Sequence, residues 1–255
     1  MPQQPTPIAV SRALSILELF DATHPSWSVE AMAEKLGCSV PTSYRYVKEL
    51  LTTGLLRRLP GAQLALGPRI LRLDYAMRQA DPLLGAAIPI MRDLTIETGC
   101  DCVLTSLFGE EFVDLHHQPG PQPLALSYGR GRPRPAFRGA APKIILSQQP
   151  TAYLRKFLAT RLPEAFEAGL GATVDDVRAS LRAIRKRGVY VSQGELEPDI
   201  DAIAVPLTLP AIESLAALAL VDRHERFTLM NEPSLRTRLH TAAARIRQTL
   251  TPAAP

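Results

Sequence analysis

The apolar and polar positions follow two periods along this chain, and the change from one to the other separates its elements. Between Ser28 and Leu36, Val29, Met32, Ala33 and Leu36 recur at i, i+3, i+4 and i+7, the spacing of a short helix with one apolar stripe. Ser28 is placed to cap it, and Glu30 sits in the first turn, where the positive end of the helix dipole favours a carboxylate. Gly37 suits the left-handed residue that ends a helix. Cys38-Ser39 then turns the chain, and Ser39 can cap a second helix that carries Pro41 in its first turn, where a missing N–H costs little. At 100° per residue, Tyr44, Val47 and Leu51 share the side expected to pack on the first helix, and Thr42, Arg45, Tyr46 and Glu49 lie opposite. Gly54 closes this helix. Period-two runs at 55–59 and 63–66, around Pro60-Gly61, predict a short hairpin. Helix, glycine turn, capped helix and hairpin together predict a winged helix-turn-helix.

Upstream, Ile8 to Ala22 reads as a helix packing under this motif, with Val10, Leu14, Leu17 and Phe20 or Asp21 on successive turns. Its Arg12 is in a position either to touch a phosphate or to stay solvated. Residues 1–7 form a Pro/Gln-rich tail, expected to be mobile. Downstream, Gly67-Pro68 ends the hairpin and starts a helix through Ile70, Leu73, Tyr75 and Met77 to about Ala80, with Asp81-Pro82 as a boundary. The expected domains are 1–66, a linker helix at 67–82, and 83–255. In the last of these, a helix to Gly99 precedes strands at 102–108 and 112–117 around a Gly109-Glu110 turn. A further strand is expected near 124–128, then an irregular basic segment from Gly129 to Pro135. Helices follow at 141–149, 151–160 and from Thr173 to Gly188, and strands at 189–193, 200–208 and 214–222. A last helix carries Leu235, Leu239, Ala243, Ile246 and Leu250. Strands paired locally and interrupted by helices predict an α/β domain on an antiparallel sheet, so the fold class is α+β.

Composition narrows the function. The 255 residues suit one large or two ordinary domains, and 46% hydrophobic residues suffice for packed cores. A net charge of +4 permits nucleic-acid binding without requiring it. No apolar run is long enough to span a membrane, and the N-terminus lacks the basic-then-apolar pattern of a signal peptide. Three cysteines do not make a disulfide framework. A cytoplasmic, reduced protein is expected.

The second helix of the motif carries the recognisable chemistry. Its N-terminal residues would reach furthest into a major groove; Arg suits guanine, a carboxylate suits cytosine N4, and Thr is versatile. The residues expected at DNA are Ser39, Thr42, Ser43, Tyr44, Arg45, Tyr46, Lys48 and Glu49, with Arg57 and Arg58 of the wing available for phosphates. The order of helix, helix-turn-helix, Arg57-Arg58 wing and Leu66-Gly-Pro-Arg-Ile-Leu71 resembles the N-terminal part of IclR-type bacterial transcription regulators. Thr42-x-Tyr44-Arg45 fits that pattern. So do Gly188-Val-Tyr-Val-Ser-Gln-Gly-Glu195 and Ala202-Ile-Ala-Val-Pro206 far downstream. The chain departs at Val40, near which the family often has a basic residue. The resemblance implies a double-stranded DNA operator, a small-molecule effector, a homodimer or tetramer paired partly through the linker helix, and a GAF-like second domain that binds the effector.

The resemblance places the effector between Phe137-Arg-Gly-Ala-Ala-Pro-Lys143, the loop from Ser192 to Ala202, and the strand from Ala219 to Val221. The residues it nominates are Phe137, Arg138, Gly139, Ala140, Ala141, Ser192, Glu195, Ala202, Ala219 and Val221. Relatives that bind small polar acids tend to present Asp, Cys and Ser where this chain has Ser192, Ala202, Ala219 and Val221. The mostly apolar set here suits a larger, flatter ligand, and an aromatic acid held by Arg138 and the start of the helix near Ala141 is expected. Arg138 on the surface is the competing reading. No catalytic signature is present: there is no nucleophile elbow, P-loop or H-E-x-x-H. Cys100-x-Cys102 is tighter than zinc spacing, even with His116-His117 nearby, and the acidic run from Glu195 to Asp201 lacks the glycine and spacing of a calcium loop. No metal and no cofactor are expected. Two other functions stay open on sequence: an enzyme with an accessory winged helix, with Lys143, His117 and Glu195 as its only candidates, and a winged helix used only for protein contacts.

Overall fold

The computed structural model describes residues 9–210 and 214–251. The expected tail at 1–7 lies outside the described residues. The chain divides between Asp81 and Pro82 into two compact units.

The first unit begins with α1 (Ala9–Ser15) and a single 3-10 turn at Leu17–Leu19. The long helix expected to Ala22 therefore stops early, because Phe20 is extended and the Trp27 indole donates to the Leu19 carbonyl at 2.9 Å. The buried residue of this stretch is Ile16, whereas Val10 and Leu14 are exposed. Helix α2 (Val29–Lys35) is capped by Ser28, whose hydroxyl accepts from the Ala31 N–H at 3.2 Å, and it buries Val29, Met32 and Ala33. Gly37 takes φ 61° and turns the chain into α3 (Val40–Thr52). Ser39 stands at the cap position, but its hydroxyl bonds Thr42 Oγ1 at 2.9 Å and caps no backbone N–H.

Helix α3 is rotated relative to the expected face. It buries Ser43, Tyr46, Val47 and Leu50, while Tyr44 is 49% exposed and Leu51 only partly buried. The small Ser43 side chain lets α3 approach α2, with its hydroxyl donating to the Val29 carbonyl at 3.4 Å. The Tyr46 ring joins Ile16 and Met32 in one core. Strands β1 (Leu56–Arg58) and β2 (Leu64–Leu66) pair antiparallel as the wing, and Trp27 bridges to Leu64 as a further rung. Gly67 must be glycine, since a Cβ there would collide with the Gly54 carbonyl oxygen and lie 2.8 Å from that of Leu56. Helix α4 (Pro68–Ala80) follows and has no buried residue.

The second unit is built on a six-stranded antiparallel sheet of order β5-β4-β3-β8-β7-β6. After α5 (Pro82–Thr98) come β3 (Asp101–Phe108) and β4 (Glu111–Gln118), joined at Gly109 with φ 61°. No strand forms at 124–128. The outer partner of β4 is instead β5 (Pro133–Arg134), inside the segment expected to be irregular. Prolines on both sides of Arg134 confine such a pairing to a sheet edge. Helices α6 (Ala140–Gln148), α7 (Thr151–Leu158), α8 (Leu162–Glu167) and α9 (Val174–Arg187) follow. Thr173 and Asp176 form a capping box on α9, and Gly188 ends it at φ 67°. Strands β6 (Tyr190–Gln193), β7 (Ile200–Leu209) and β8 (Ser214–Arg223) precede α10 (His224–Phe227) and α11 (Glu232–Leu250). The short α8 and α10 carry no periodic apolar signal of their own.

The sheet has a core on each face. Met91 and Leu94 of α5 and Leu239 and Ile246 of α11 meet Leu104, Leu218 and Leu220 on one side. On the other, Ile144, Phe157, Leu181 and Ile184 from α6, α7 and α9 meet Val103, Ala204, Ala217 and Ala219. The second face is paved with small side chains, which leaves room between the sheet and the start of α6. Among the described residues, no helix is long and apolar enough to cross a membrane.

Candidate functional site

The first unit presents a basic, structured edge. Arg45, Lys48 and Glu49 of α3 are exposed, as are Arg57 and Arg58 of the wing; Thr42 is half-buried. The Arg45 guanidinium lies 5.5 Å from the centre of the Tyr46 ring, which limits its swing before any partner arrives. The Tyr44 hydroxyl donates to Glu30 Oε1 at 3.0 Å. Backbone and Tyr44 hydrogen bonds hold the Glu30 carboxyl below its usual value, and Glu30 in turn pushes the Tyr44 hydroxyl up. Two of the residues expected at DNA are not on this surface: Ser43 is fully buried and Tyr46 is 8% exposed. Both sit on the packed side of α3, Ser43 against α2 and Tyr46 in the core with Ile16 and Met32, so they fix how α3 packs instead of meeting a groove.

In the second unit a cavity lies between the sheet and the first turn of α6. The register β6-β7-β8 puts Ser192 beside Ala202 and Ala202 beside Val221, while Ala219 pairs with Val103. These five residues line one wall, and Gly139, Ala140 and Ala141 line another. Leu126, Tyr128, Leu196, Glu197 and Ile200 come from the loops, and Asp114 and Arg134 from β4 and β5. About 30 Å³ of it admits the centre of a water-sized sphere, room for roughly two waters. Glu197 Oε1 accepts from the Ser127 N–H and hydroxyl, both at 2.8 Å, and ties the two loops together.

The cation at this cavity is Arg134, not Arg138. Arg138 is exposed and does not line it, which corrects the expected carboxylate anchor; Phe137 is buried in the core beside the cavity. Arg134 Nη1 pairs with Asp114 Oδ1 at 2.9 Å, and Thr105 Oγ1 donates to the same oxygen at 2.7 Å. Arg134 Nε is buried without a hydrogen-bond partner. The sequence hid this residue inside a Pro/Arg-rich run whose brief pairing with β4 has no period to detect. The alternation of β4, which turns Asp114 and Phe112 to one side, was the available hint.

Glu195 is also placed differently from expectation. Its Oε2 accepts from Lys143 Nζ at 2.7 Å and from the Gly139 N–H at 3.0 Å, and its Oε1 accepts from the Tyr190 hydroxyl at 2.7 Å. Burial pushes the Tyr190 hydroxyl up, keeping it a donor. The cluster fixes Gly139, whose φ of 83° favours glycine, at the mouth of α6. Lys143 and Glu195 are thus bound to each other, and His117 pairs elsewhere, with Asp101 at 2.7 Å. Of the acidic run, Asp201 pairs with His224 at 2.9 Å. Among the described residues, no three His, Cys, Asp or Glu side chains gather as a metal site.

A winged helix with a basic recognition edge, carried on one chain with a sheet domain that encloses a small cavity, is the build of a transcription regulator with a separate effector domain. Two family models match: the IclR helix-turn-helix domain over residues 9–60, and the bacterial transcriptional regulator IclR C-terminal domain over 76–248. The chain belongs to the IclR family of bacterial transcriptional regulators, which bind DNA and small-molecule effectors. It is 27% identical over 223 residues to the probable transcriptional regulator SauR of Cupriavidus necator, covering 87% of this chain and 88% of that one. It is 26% identical to the HTH-type transcriptional regulator KipR of Bacillus subtilis, covering 93% and 94%. These relatives are regulators, and no catalytic function is indicated. Among solved structures, an IclR homolog from Microbacterium hydrocarbonoxydans, complexed with 4-hydroxybenzoate, shares the fold with a TM-score of 0.77 at 20% identity, covering 95% of this chain and 99% of that one.

Proposed function

We propose that this chain is a cytoplasmic, dimeric regulator that senses a small aromatic carboxylic acid and controls a catabolic operon. The observation that carries the ligand class is the donor set at the cavity. Arg134 lines it and has a buried Nε without a partner, and Ala140 and Ala141 bring first-turn N–H groups that have no partner within α6. A carboxylate satisfies both, and an aromatic ring suits the apolar walls of Val103, Ala219 and Val221. Asp114 balances the charge of Arg134, so a carboxylate is drawn by local donors and not by a net positive field. The 4-hydroxybenzoate bound by the Microbacterium protein supports the same class.

A cavity with room for about two waters does not hold a ring without opening. The exposed Glu197–Ser127 contact is the simplest part to yield. Regulation then follows as a population shift: the acid binds the open arrangement more tightly and biases how two copies present their recognition helices. The outward Leu71, Leu73, Tyr75 and Met77 of α4, each at least half exposed, suit pairing of two copies, and two-fold dimers read two half-sites about one turn apart.

The test is fluorescence anisotropy of the purified protein on labelled DNA from upstream of its own gene, across a salt series, against scrambled DNA, with and without a set of aromatic acids. Selective binding shifted by one of the acids is expected. Selective binding indifferent to every aromatic acid sinks the ligand class alone, and no preference over scrambled DNA sinks the regulator reading.

A further inference from the structure

The first turn of α3 carries an apolar edge that the reading above leaves without a role. Val40 is the first residue of the helix and 39% exposed, and Pro41 beside it is exposed too. The polar groups around them are already committed. Ser39 and Thr42 share a hydrogen bond at 2.9 Å, and Tyr44 is held by Glu30. No acidic side chain stands in this turn. A single exposed Val is ordinary on a protein surface. At this place it is not, because the N-terminal turn of a recognition helix reaches furthest into the major groove.

Resting on the DNA-binding reading, we infer that Val40 and Pro41 read the 5-methyl group of thymine in each half-site of the operator. An isopropyl group and a pyrrolidine ring can neither donate nor accept at a base edge, and they can hold no phosphate. The apolar feature a major groove offers is the thymine methyl, and contact with it distinguishes A·T from the other pairs. The core face formed by Ser43, Val47 and Leu50 turns Pro41, Arg45 and Lys48 outward at i, i+4 and i+7. Arg45 therefore follows Pro41 by four residues, about 6 Å along the helix. That is close to two base-pair steps of about 3.4 Å each. The operator half-site accordingly holds a thymine about two pairs from a guanine bound by Arg45.

The experiment selects binding sites for the full-length protein from a random DNA library, then replaces each thymine of the enriched half-site in turn by deoxyuridine, which differs only by the lost methyl. At one thymine, near the guanine whose replacement is costly, wild-type affinity is expected to fall about three- to fivefold, the worth of one buried methyl. The double variant Val40→Ser, Pro41→Ser, with folding checked by Trp27 fluorescence, is expected to bind the two DNAs alike. Wild-type affinity that is the same with deoxyuridine at every position overturns the inference and leaves the DNA-binding reading standing. A methyl effect that survives in the double variant overturns it as well, since a residue other than Val40 and Pro41 then reads the methyl. Failure of any sequence to enrich removes the DNA-binding reading and the inference with it.

Discussion

Helix α3 and the cavity of the second unit hold their polar groups in place in opposite ways. On α3 the groups come from one run of chain, and each stands where helical period puts it, with Arg45 steadied on its neighbour Tyr46. At the cavity the polar groups come from β4, β5, β6, the loops and the first turn of α6, and the apolar walls from β3, β7 and β8. Each is steadied by a residue far away in sequence: Arg134 by Asp114, and Gly139 by Glu195. A site made from one helix tolerates loss of a distant contact. A site made from seven elements depends on all of them being in register.

That contrast can be broken by four measurements. The largest effect is expected for Glu195→Ala, which strands Lys143, 3% exposed, among apolar residues. Breaking a buried pair typically costs about 3–5 kcal/mol. The value here should sit near the low end, because Tyr190 still contacts Lys143 at 3.0 Å. In urea, circular dichroism should show the second unit unfolding earlier, while Trp27, the single tryptophan, reports an unchanged first unit. Equal loss in both units would erase the distinction drawn between them. Next, Arg45→Ala should weaken specific DNA binding by about 1–3 kcal/mol and relax selectivity, read by anisotropy on operator and scrambled DNA. Unchanged affinity would favour a winged helix used only for protein contacts.

Arg134→Met should weaken the effector about tenfold or more, the worth of a hydrogen bond to a charged group, with effector-free DNA affinity unchanged. Calorimetry with the active acid reads this, and Arg138→Met is the matched control expected to do nothing. An equal loss in both variants would return the anchor to Arg138. The smallest effect concerns the thiols. Burial pushes the Cys100 thiol up to about 12 and Cys102 higher still, so both stay protonated at pH 8, and the thiolate is the reactive form. Half-buried Cys38 should be the thiol that a disulfide reagent labels in the native protein, with all three reacting after denaturation. Rapid labelling of three would mean the β3 end of the sheet opens.

The two regions also differed in how far they could be read in advance. Ser28, Gly37, Gly54, Thr173 and Gly188 mark helix ends by chemistry that works within a few residues, and all five helix ends fell where that chemistry puts them. Strand alternation likewise marked β3, β4, β6, β7 and β8 to within one residue at each end. Errors began where a choice depended on packing. Period places Tyr44 with Val47 and Leu51 on the inner side of α3 and Tyr46 opposite, yet Tyr46 is the buried one. The close approach permitted by Ser43 decided for Tyr46, and nothing local announces it.

The amino-acid sequence by itself determined the order of elements, the presence of two units and the family, because capping, turn geometry and apolar period act over one or two turns of chain. Only the tertiary structure decided which cation meets the cavity. Arg134 and Arg138 are four residues apart, and no apolar period orients either of them. A two-residue pairing with β4 turned Arg134 toward Asp114, while Arg138, on the short run into α6, faces solvent. That selection is made by strand pairing between residues twenty positions apart, and no window along the sequence contains it.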